Sequence, residues 1–330
     1  MLTVSMIVKD AADTLEQCLE SVKDADKIII VDTGSTDNTV EIAKRYGRVE
    51  HFEWCDDFAA ARNHALSFVP TGSWVISIDA DEWMHIPDGF HADAGADCYC
   101  VEVVRLNEDG NPAESFLAAR VFRNSDVNWE GKVHEQISRN GKPLPWQGIL
   151  PVTFFHHHRP HDSEKWMRNV EMLQMDCIDH PTDPVRFMQY AMATASVCDY
   201  EKAYLAATEA LHLTSEAGVP QPPWVYRCVA TKAHSAHLIG QKVEARKLLK
   251  YLQDSAPDYT DAYYIEALCA ASDGRFDKVK ELIGICKQMG DAPSSMWAIG
   301  GVSTWRGDQL LAEIEKAPKG ATWLTTEQTT

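Results

Sequence analysis

The sequence predicts an α/β, mostly parallel, Rossmann-like domain over residues 1–160, followed by an all-α helical-repeat domain over residues 161–330. Three observations predict it. Strand-like and helix-like runs alternate through the first half, the rhythm of a parallel sheet covered by helices on both faces. After about residue 160 strand signals stop, and helix follows helix. In that second half two similar junctions begin 34 residues apart, a spacing typical of stacked helical hairpins. Length agrees, because 330 residues exceed what one average core holds.

Taken in order, "TVSMIV" is the first strand. "DTLEQCLESVKD" places Leu15, Cys18, Leu19 and Val22 at helical spacing, so it is an amphipathic helix. "KIIIVD" is the continuous apolar run of a strand buried on both faces. In "STDNTVEIAKRYG", Ser35, Thr36 or Asp37 caps a helix that Gly47 stops. "RVEHFEW" is a third strand, "DFAAARNHALSFV" a third helix and "SWVISID" a fourth strand. From residue 98, "CYCVEVVRLN" and "LAARVFRN" read as antiparallel additions or edge strands.

In the second half the junctions are "CDYEKAYLAATEAL" from Cys198, "GQKVEARKLLKYL" from Gly240 and "GRFDKVKELIGIC" from Gly274. The last two carry the tetratricopeptide period. The first two lie 42 residues apart, and the Pro-rich "GVPQPP" accounts for the excess as an insert. An unrelated all-helical domain is the alternative.

Composition narrows the function classes. Apolar content of 45% and charged content of 24% describe an ordinary globular protein. A formal net charge of -18 repels phosphate backbones and anionic membrane surfaces, so general nucleic-acid binding is not expected. No apolar run reaches the roughly 18 residues of a membrane span, and "MLTVSMIVKD" lacks the regions of a signal peptide. Nine scattered cysteines without a C-x-x-C, of which Cys98 and Cys100 are the closest pair, fit reduced thiols in the cytoplasm.

In an open parallel sheet, ligands sit beyond the carboxyl ends of the strands. Here those ends carry polar residues repeatedly: Val8 to Asp10, Asp32 in "VDTGSTD", and "DADE" from Asp79 to Glu82. "DTGSTD" is either a capped turn or, with Asp32 at the strand tip, an acceptor for a nucleobase or ribose. No G-x-G-x-x-G and no G-x-x-x-x-G-K-[ST] is present, so the dinucleotide and P-loop readings lack their phosphate cradle. "DADE" is either an acidic helix start or a divalent-metal site completed by substrate phosphates and water. It lacks the spacing and the glycine of a calcium loop.

Arg62 and Asn63 adjoin on the third helix; Arg62 is a surface side chain or a diphosphate partner. His134 and Glu135 in "WEGKVHEQI" offer a general base, or an ordinary charged edge strand. "VTFFHHHRPH" ends a strand-like run in three histidines, of which His156 and His158 fall on one side of an extended chain and can contribute to a metal shell.

Together, "MIVKDAADTLEQCLESV", "IIIVDTGSTDNTVEIAKRYG", "HFEWCDDFAAARNHAL" and "WVISIDADE" strongly resemble family 2 glycosyltransferases of the A-type nucleotide-sugar fold. More narrowly they resemble the branch typified by the sublancin S-glycosyltransferase and lipopolysaccharide-core-type enzymes, whose members often carry tetratricopeptide-like helices. "ARVFRN", "WEGKVHEQI", "HHHRP" and "KWMRNVEML" match later motifs of that branch.

The resemblance implies an inverting, metal-dependent transfer from a UDP-sugar. It places Val8 to Asp10 at the uracil or ribose, although the family commonly has Asn then Glu where this chain has Asp10 and Ala11. It places Asp32 at the uridine, and Arg62 and Asn63 at the nucleotide or diphosphate. Asp79, Ala80 and Asp81 form the D-x-D motif, with Asp81 the direct ligand of Mn²⁺ or Mg²⁺ and Asp79 nearer the ribose and sugar. Glu135 becomes the base with His134 beside it. His156, or else His158, completes the metal shell.

The expected acceptor is a peptide or protein held by the helical array, and the chain's net charge of -18 suits a basic partner. A homodimer through that array is a further expectation. A glycan, lipid-core or modified-base acceptor is the alternative within the same class. Outside it, a non-catalytic repeat scaffold with a vestigial sugar site competes, and the presence of both Asp79 and Asp81 argues against it. A metal-dependent nucleotidyltransferase would need a basic triphosphate loop that the sequence lacks.

Overall fold

Strand β1 (Leu2–Val8) lies in the interior of an eight-stranded sheet, where both of its faces are covered. The computed structural model of the chain describes residues 1–85, 96–157, 163–216, 222–293, 296 and 298–317. It divides into two units, Met1–Pro160 and His161–Thr330. The first continues with α1 (Leu15–Ser21), β2 (Lys27–Asp32), α2 (Thr39–Ala43), β3 (Arg48–His51), α3 (Phe58–Ser67) and β4 (Trp74–Ser77). There follow β5 (Glu82–His85), β6 (Cys98–Leu106), β7 (Pro112–Arg123), β8 (Asn128–Glu130), β9 (Gln136–Arg139), β10 (Lys142–Pro143) and β11 (Ile149–His156).

The sheet order is β3-β2-β1-β4-β7-β6-β11-β5, with β8 to β10 in a small sheet of their own. Strands β3, β2, β1 and β4 are parallel neighbours, as the alternating pattern predicts. The continuous apolar run of β2 serves both faces: Ile28 and Ile30 join the core under α1, and Ile29 joins the core with Ala59 and Leu66 of α3. Strand β7 pairs antiparallel with both β4 and β6, so "LAARVFRN" is an interior strand and not an edge. That position brings its side chains beside the end of β4.

Gly47 acts differently from expectation. Helix α2 ends at Ala43, and a Cβ on Gly47 would lie 2.4 Å from the Ile28 carbonyl oxygen. Close approach to β2, rather than helix termination, requires glycine there.

The second unit comprises α4 (Ser163–Asp179), α5 (Pro184–Ser196), α6 (Tyr200–Glu216), α7 (Trp224–Leu238), α8 (Lys242–Ser255), α9 (Asp261–Ser272), α10 (Phe276–Met289) and α11 (Trp305–Lys316). Helices pack as successive hairpins, and α7 is buried nearly all round because α5, α6, α8 and α9 all touch it. No helix among the described residues is long and apolar enough to cross a membrane.

The three junctions read from the sequence are geometrically alike. Cys198, Gly240 and Gly274 have φ of 64, 88 and 71°. Each N–H donates to the carbonyl three residues back, at 3.1, 3.1 and 2.9 Å. Each following N–H (Asp199, Gln241, Arg275) donates five residues back, at 2.9, 2.7 and 2.8 Å. This is the left-handed helix terminus that glycine suits and other L-residues adopt at a cost of about 1–2 kcal/mol. Cys198→Gly is therefore expected to stabilise the protein by about 0.5–1 kcal/mol after glycine's greater freedom in the unfolded chain is discounted. Gly240→Ala should shift the urea midpoint the other way. Unchanged midpoints in both would reject the shared geometry.

Candidate active site

The carboxyl ends of β1, β2 and β4 come together, as a parallel sheet requires. The Val8 carbonyl accepts from the Thr33 N–H at 3.0 Å and its hydroxyl at 3.1 Å, fixing the start of the turn after β2. Asp10, in a left-handed backbone conformation (φ 44°), accepts from the Thr36 N–H at 2.7 Å and hydroxyl at 3.1 Å through Oδ1. Among the described residues its Oδ2 makes no hydrogen bond. Asp32 is 3% exposed. Its oxygens accept from the Gly34 and Ser35 N–H groups at 3.2 and 3.1 Å, and His51 Nδ1 lies 3.3 Å away. Asp32 thus closes its own turn.

The centre of the site is a buried charge network at the end of β4. Arg62 enters it from α3, whose start is capped by Asp57 accepting from Ala60 N–H at 2.8 Å. The Arg62 guanidinium donates through Nη2 to Asp79 Oδ1 at 2.6 Å, through Nε to Glu135 Oε1, and through Nη1 to Ser77 Oγ at 3.3 Å. It lies 5.3 Å over the Trp129 ring and is only 7% exposed, so it is no surface side chain. Burial disfavours its charge, but Asp79 and Glu135 outweigh that and raise its pKa above the ordinary arginine value.

Arg120, on β7, completes the network. Its Nη2 donates to Asp79 Oδ2 at 3.0 Å and to Glu82 Oε1 at 2.9 Å. The second Glu82 oxygen accepts the Asp79 N–H at 3.0 Å, and the Glu82 N–H donates to the Asp79 carbonyl at 3.0 Å. Burial also works against ionisation of Asp79, yet Arg120 and Arg62 hold its carboxyl well below the usual range. Glu82, 1% exposed, goes the other way: burial pushes its carboxyl up to about 7 despite Arg120. Cys18 of α1 donates its thiol to the Asp79 carbonyl at 3.4 Å, and burial followed by the Glu82, Asp79 and Asp81 charges keeps that thiol protonated.

Asp81 is presented differently. Its carbonyl accepts the His157 N–H at 2.9 Å, and its Oδ2 lies 3.7 Å from His156 Nε2. Burial lowers the His156 pKa against the pull of Asp81, favouring the neutral imidazole that metals bind. Asp81 and His156 therefore fit as two protein donors to a divalent ion whose other ligands are diphosphate oxygens and water. Asp79 stands apart from that pair, since each of its oxygens already accepts from a guanidinium. No group of three or more metal-ligating side chains occurs among the described residues. His158 lies outside them.

Glu135 is brought to the network by Arg62, whereas His134 sits at an exposed left-handed position (φ 54°) of the same connection. Asn63 is turned to structure: its amide donates to the Trp129 carbonyl at 2.9 Å and accepts from the Trp129 N–H at 2.8 Å, stitching α3 to β8. Ala80 is partly buried against the core under α1. Sequence reasoning missed Arg120 and Cys18. The available signal for Arg120 was a single cation inside an apolar strand run, "LAARVF".

Comparison with known proteins decides the family of this region. Residues 3–113 match the model for Glycosyl transferase family 2. The first unit thus carries a glycosyltransferase family 2 domain. The matched segment holds Asp32, Arg62, Asp79 and Asp81 and stops short of Arg120, Glu135 and His156.

Two curated relatives extend the comparison. A TPR repeat-containing protein of Synechococcus elongatus is 35% identical over 142 residues, covering 41% of this chain and 35% of that protein. The SPbeta prophage-derived glycosyltransferase SunS of Bacillus subtilis is 29% identical over 201 residues, covering 53% of this chain and 46% of that protein. The chain thus spans less than half the length of the curated relatives it matches. Among solved structures, S. aureus TarS aligns over 76% of this chain and 55% of its own, at 12% identity and a TM-score of 0.44.

Proposed function

We propose that the family 2 domain transfers a sugar from a UDP-sugar to an acceptor, with inversion and with a divalent metal. One observation carries this reading: a single guanidinium, Arg62, holds both Asp79 and Glu135, residues far apart in sequence. Proton-accepting and donor-handling carboxylates are thereby set side by side at the carboxyl ends of a parallel sheet, where nucleotides bind. Val8, Asp10 and the turn closed by Asp32 are assigned to the nucleoside. Asp81 and His156 are assigned to Mn²⁺ or Mg²⁺, which when bound offsets charge developing on the leaving diphosphate. Glu135 takes the acceptor's proton as the new bond forms. Arg62 keeps Glu135 oriented, a role we prefer to the direct diphosphate contact that the resemblance implies, because its donors are already engaged.

The helical unit is assigned to a peptide or protein acceptor or to a homodimer contact, and the chain to the cytoplasm. A vestigial site on a binding scaffold is the competing reading. It is disfavoured by the charge network of Arg62, Arg120, Asp79, Glu82 and Glu135, whose desolvation costs free energy that apolar packing at the same place would avoid. The test is a UDP-sugar panel with and without Mn²⁺, scored for UDP release and, by calorimetry, for UDP binding. Metal-dependent release or binding is expected for at least one donor. Neither, under any condition, sinks the enzyme reading.

A further inference from the structure

In "DADE", Asp79 and Glu82 are tied to each other and to the protein around them. Both Asp79 oxygens and both Glu82 oxygens have donors, and Arg120 supplies one donor to each residue through the same nitrogen. The two flank Asp81 in a turn closed by reciprocal contacts: Asp79 N–H to Glu82 Oε2, and Glu82 N–H to the Asp79 carbonyl, both 3.0 Å. On its far side the turn is pinned by the His157 N–H on the Asp81 carbonyl. Arg120 reaches it from a strand 41 residues away from Asp79 in sequence, and that side chain is only 16% exposed. A cation in that place offsets repulsion between Asp79 and Glu82 and fixes the separation of their backbones.

We infer that Arg120 is a positioning residue: it clamps Asp79 to Glu82 so that the intervening turn presents Asp81, and with it the metal-binding geometry, to the donor diphosphate. This deepens the proposed transferase reading and rests on it. Arg120 touches no substrate in this scheme. Its effect runs through the pose of Asp81, as outer-shell partners of metal ligands act elsewhere. Lysine preserves the charge but not the planar fork, so it should restore the function only in part.

The experiment measures Mn²⁺ binding by electron paramagnetic resonance in the presence of UDP, together with thermal melting, for the full chain and for Arg120→Met, Arg120→Lys and Glu82→Gln. The expected result is a Mn²⁺ dissociation constant raised about 10–100-fold in Arg120→Met, with intermediate values in Arg120→Lys and Glu82→Gln, while the melting temperature records separately the cost of unpairing a charge. If Arg120→Met fails to fold, the two milder variants carry the test. Wild-type Mn²⁺ affinity in any folded Arg120 variant overturns the inference and leaves the transferase reading intact. Absence of UDP-dependent Mn²⁺ binding in the parent protein sinks both.

Discussion

Asp81→Ala is expected to lower metal-dependent UDP release by roughly 10³-fold or more while leaving the melting temperature within a few degrees of the parent. The size follows from the loss of several kcal/mol of charge stabilisation on the leaving diphosphate, at about 1.4 kcal/mol per tenfold in rate. The small stability change expected rests on one contact of Asp81: its ion pair with His156 is long, at 3.7 Å, and burial disfavours the protonated form of that histidine, so this contact contributes little to folding. Asp79→Asn should behave in the opposite way. It removes the charge on which two buried guanidiniums depend, and stripping one partner from such a pair costs about 3–5 kcal/mol. Activity lost with a large fall in melting temperature is therefore the signature of Asp79, and activity lost without it the signature of Asp81. Steady-state UDP release at saturating donor, run beside thermal melts of both variants, separates them. An Asp81→Ala protein that retains more than a tenth of the parental rate would remove Asp81 from the metal.

The difference between these two residues marks how far the sequence could be read. Strand tips carrying carboxylates were legible because β2 and β4 are short apolar runs that end abruptly in Asp32 and Asp79. Sheet topology places such tips together whatever their partners are. The switch to successive helices near residue 160 was legible, and the three junctions found there share a left-handed residue even where Cys198 stands in place of glycine. What could not be read was the pairing of charges. "DADE" looks the same in sequence whether Asp79 faces a metal or two guanidiniums, because the deciding donors, Arg62 and Arg120, come from a helix and from an antiparallel strand. The sequence treated β7 as an addition at the margin, and only its insertion between β4 and β6 brings Arg120 to the site. Glu82 emerges as the residue that closes the turn. Asn63 shows the converse: the resemblance implied a role shared with Arg62, but consecutive positions on a helix project about 100° apart. Arg62 turns to the carboxylates and Asn63 to the backbone of Trp129.

Glu135→Gln is expected to slow transfer by about 10²–10⁴-fold, the range that a positioned general base supplies, with UDP affinity retained. Glutamine is the informative choice because its carbonyl oxygen can still accept from Arg62 Nε, so the guanidinium keeps its hold on Asp79. Alanine would leave a buried cation short of one partner and confuse a chemical defect with a structural one. Two outcomes separate the roles this carboxylate can play. As the base, Glu135→Gln leaves Mn²⁺-dependent UDP binding near the parental value while transfer falls. As a mere counter-ion to Arg62, it transfers at the parental rate, and the proton acceptor passes to His134 on the same connection. Arg62→Lys then measures the coupling between the two ends of the network. A single ammonium cannot reproduce the fork that spans Asp79 and Glu135, so this variant should lose rate through both residues at once. Its effect combined with Glu135→Gln should be smaller than the product of the separate effects, as expected for residues acting as one unit.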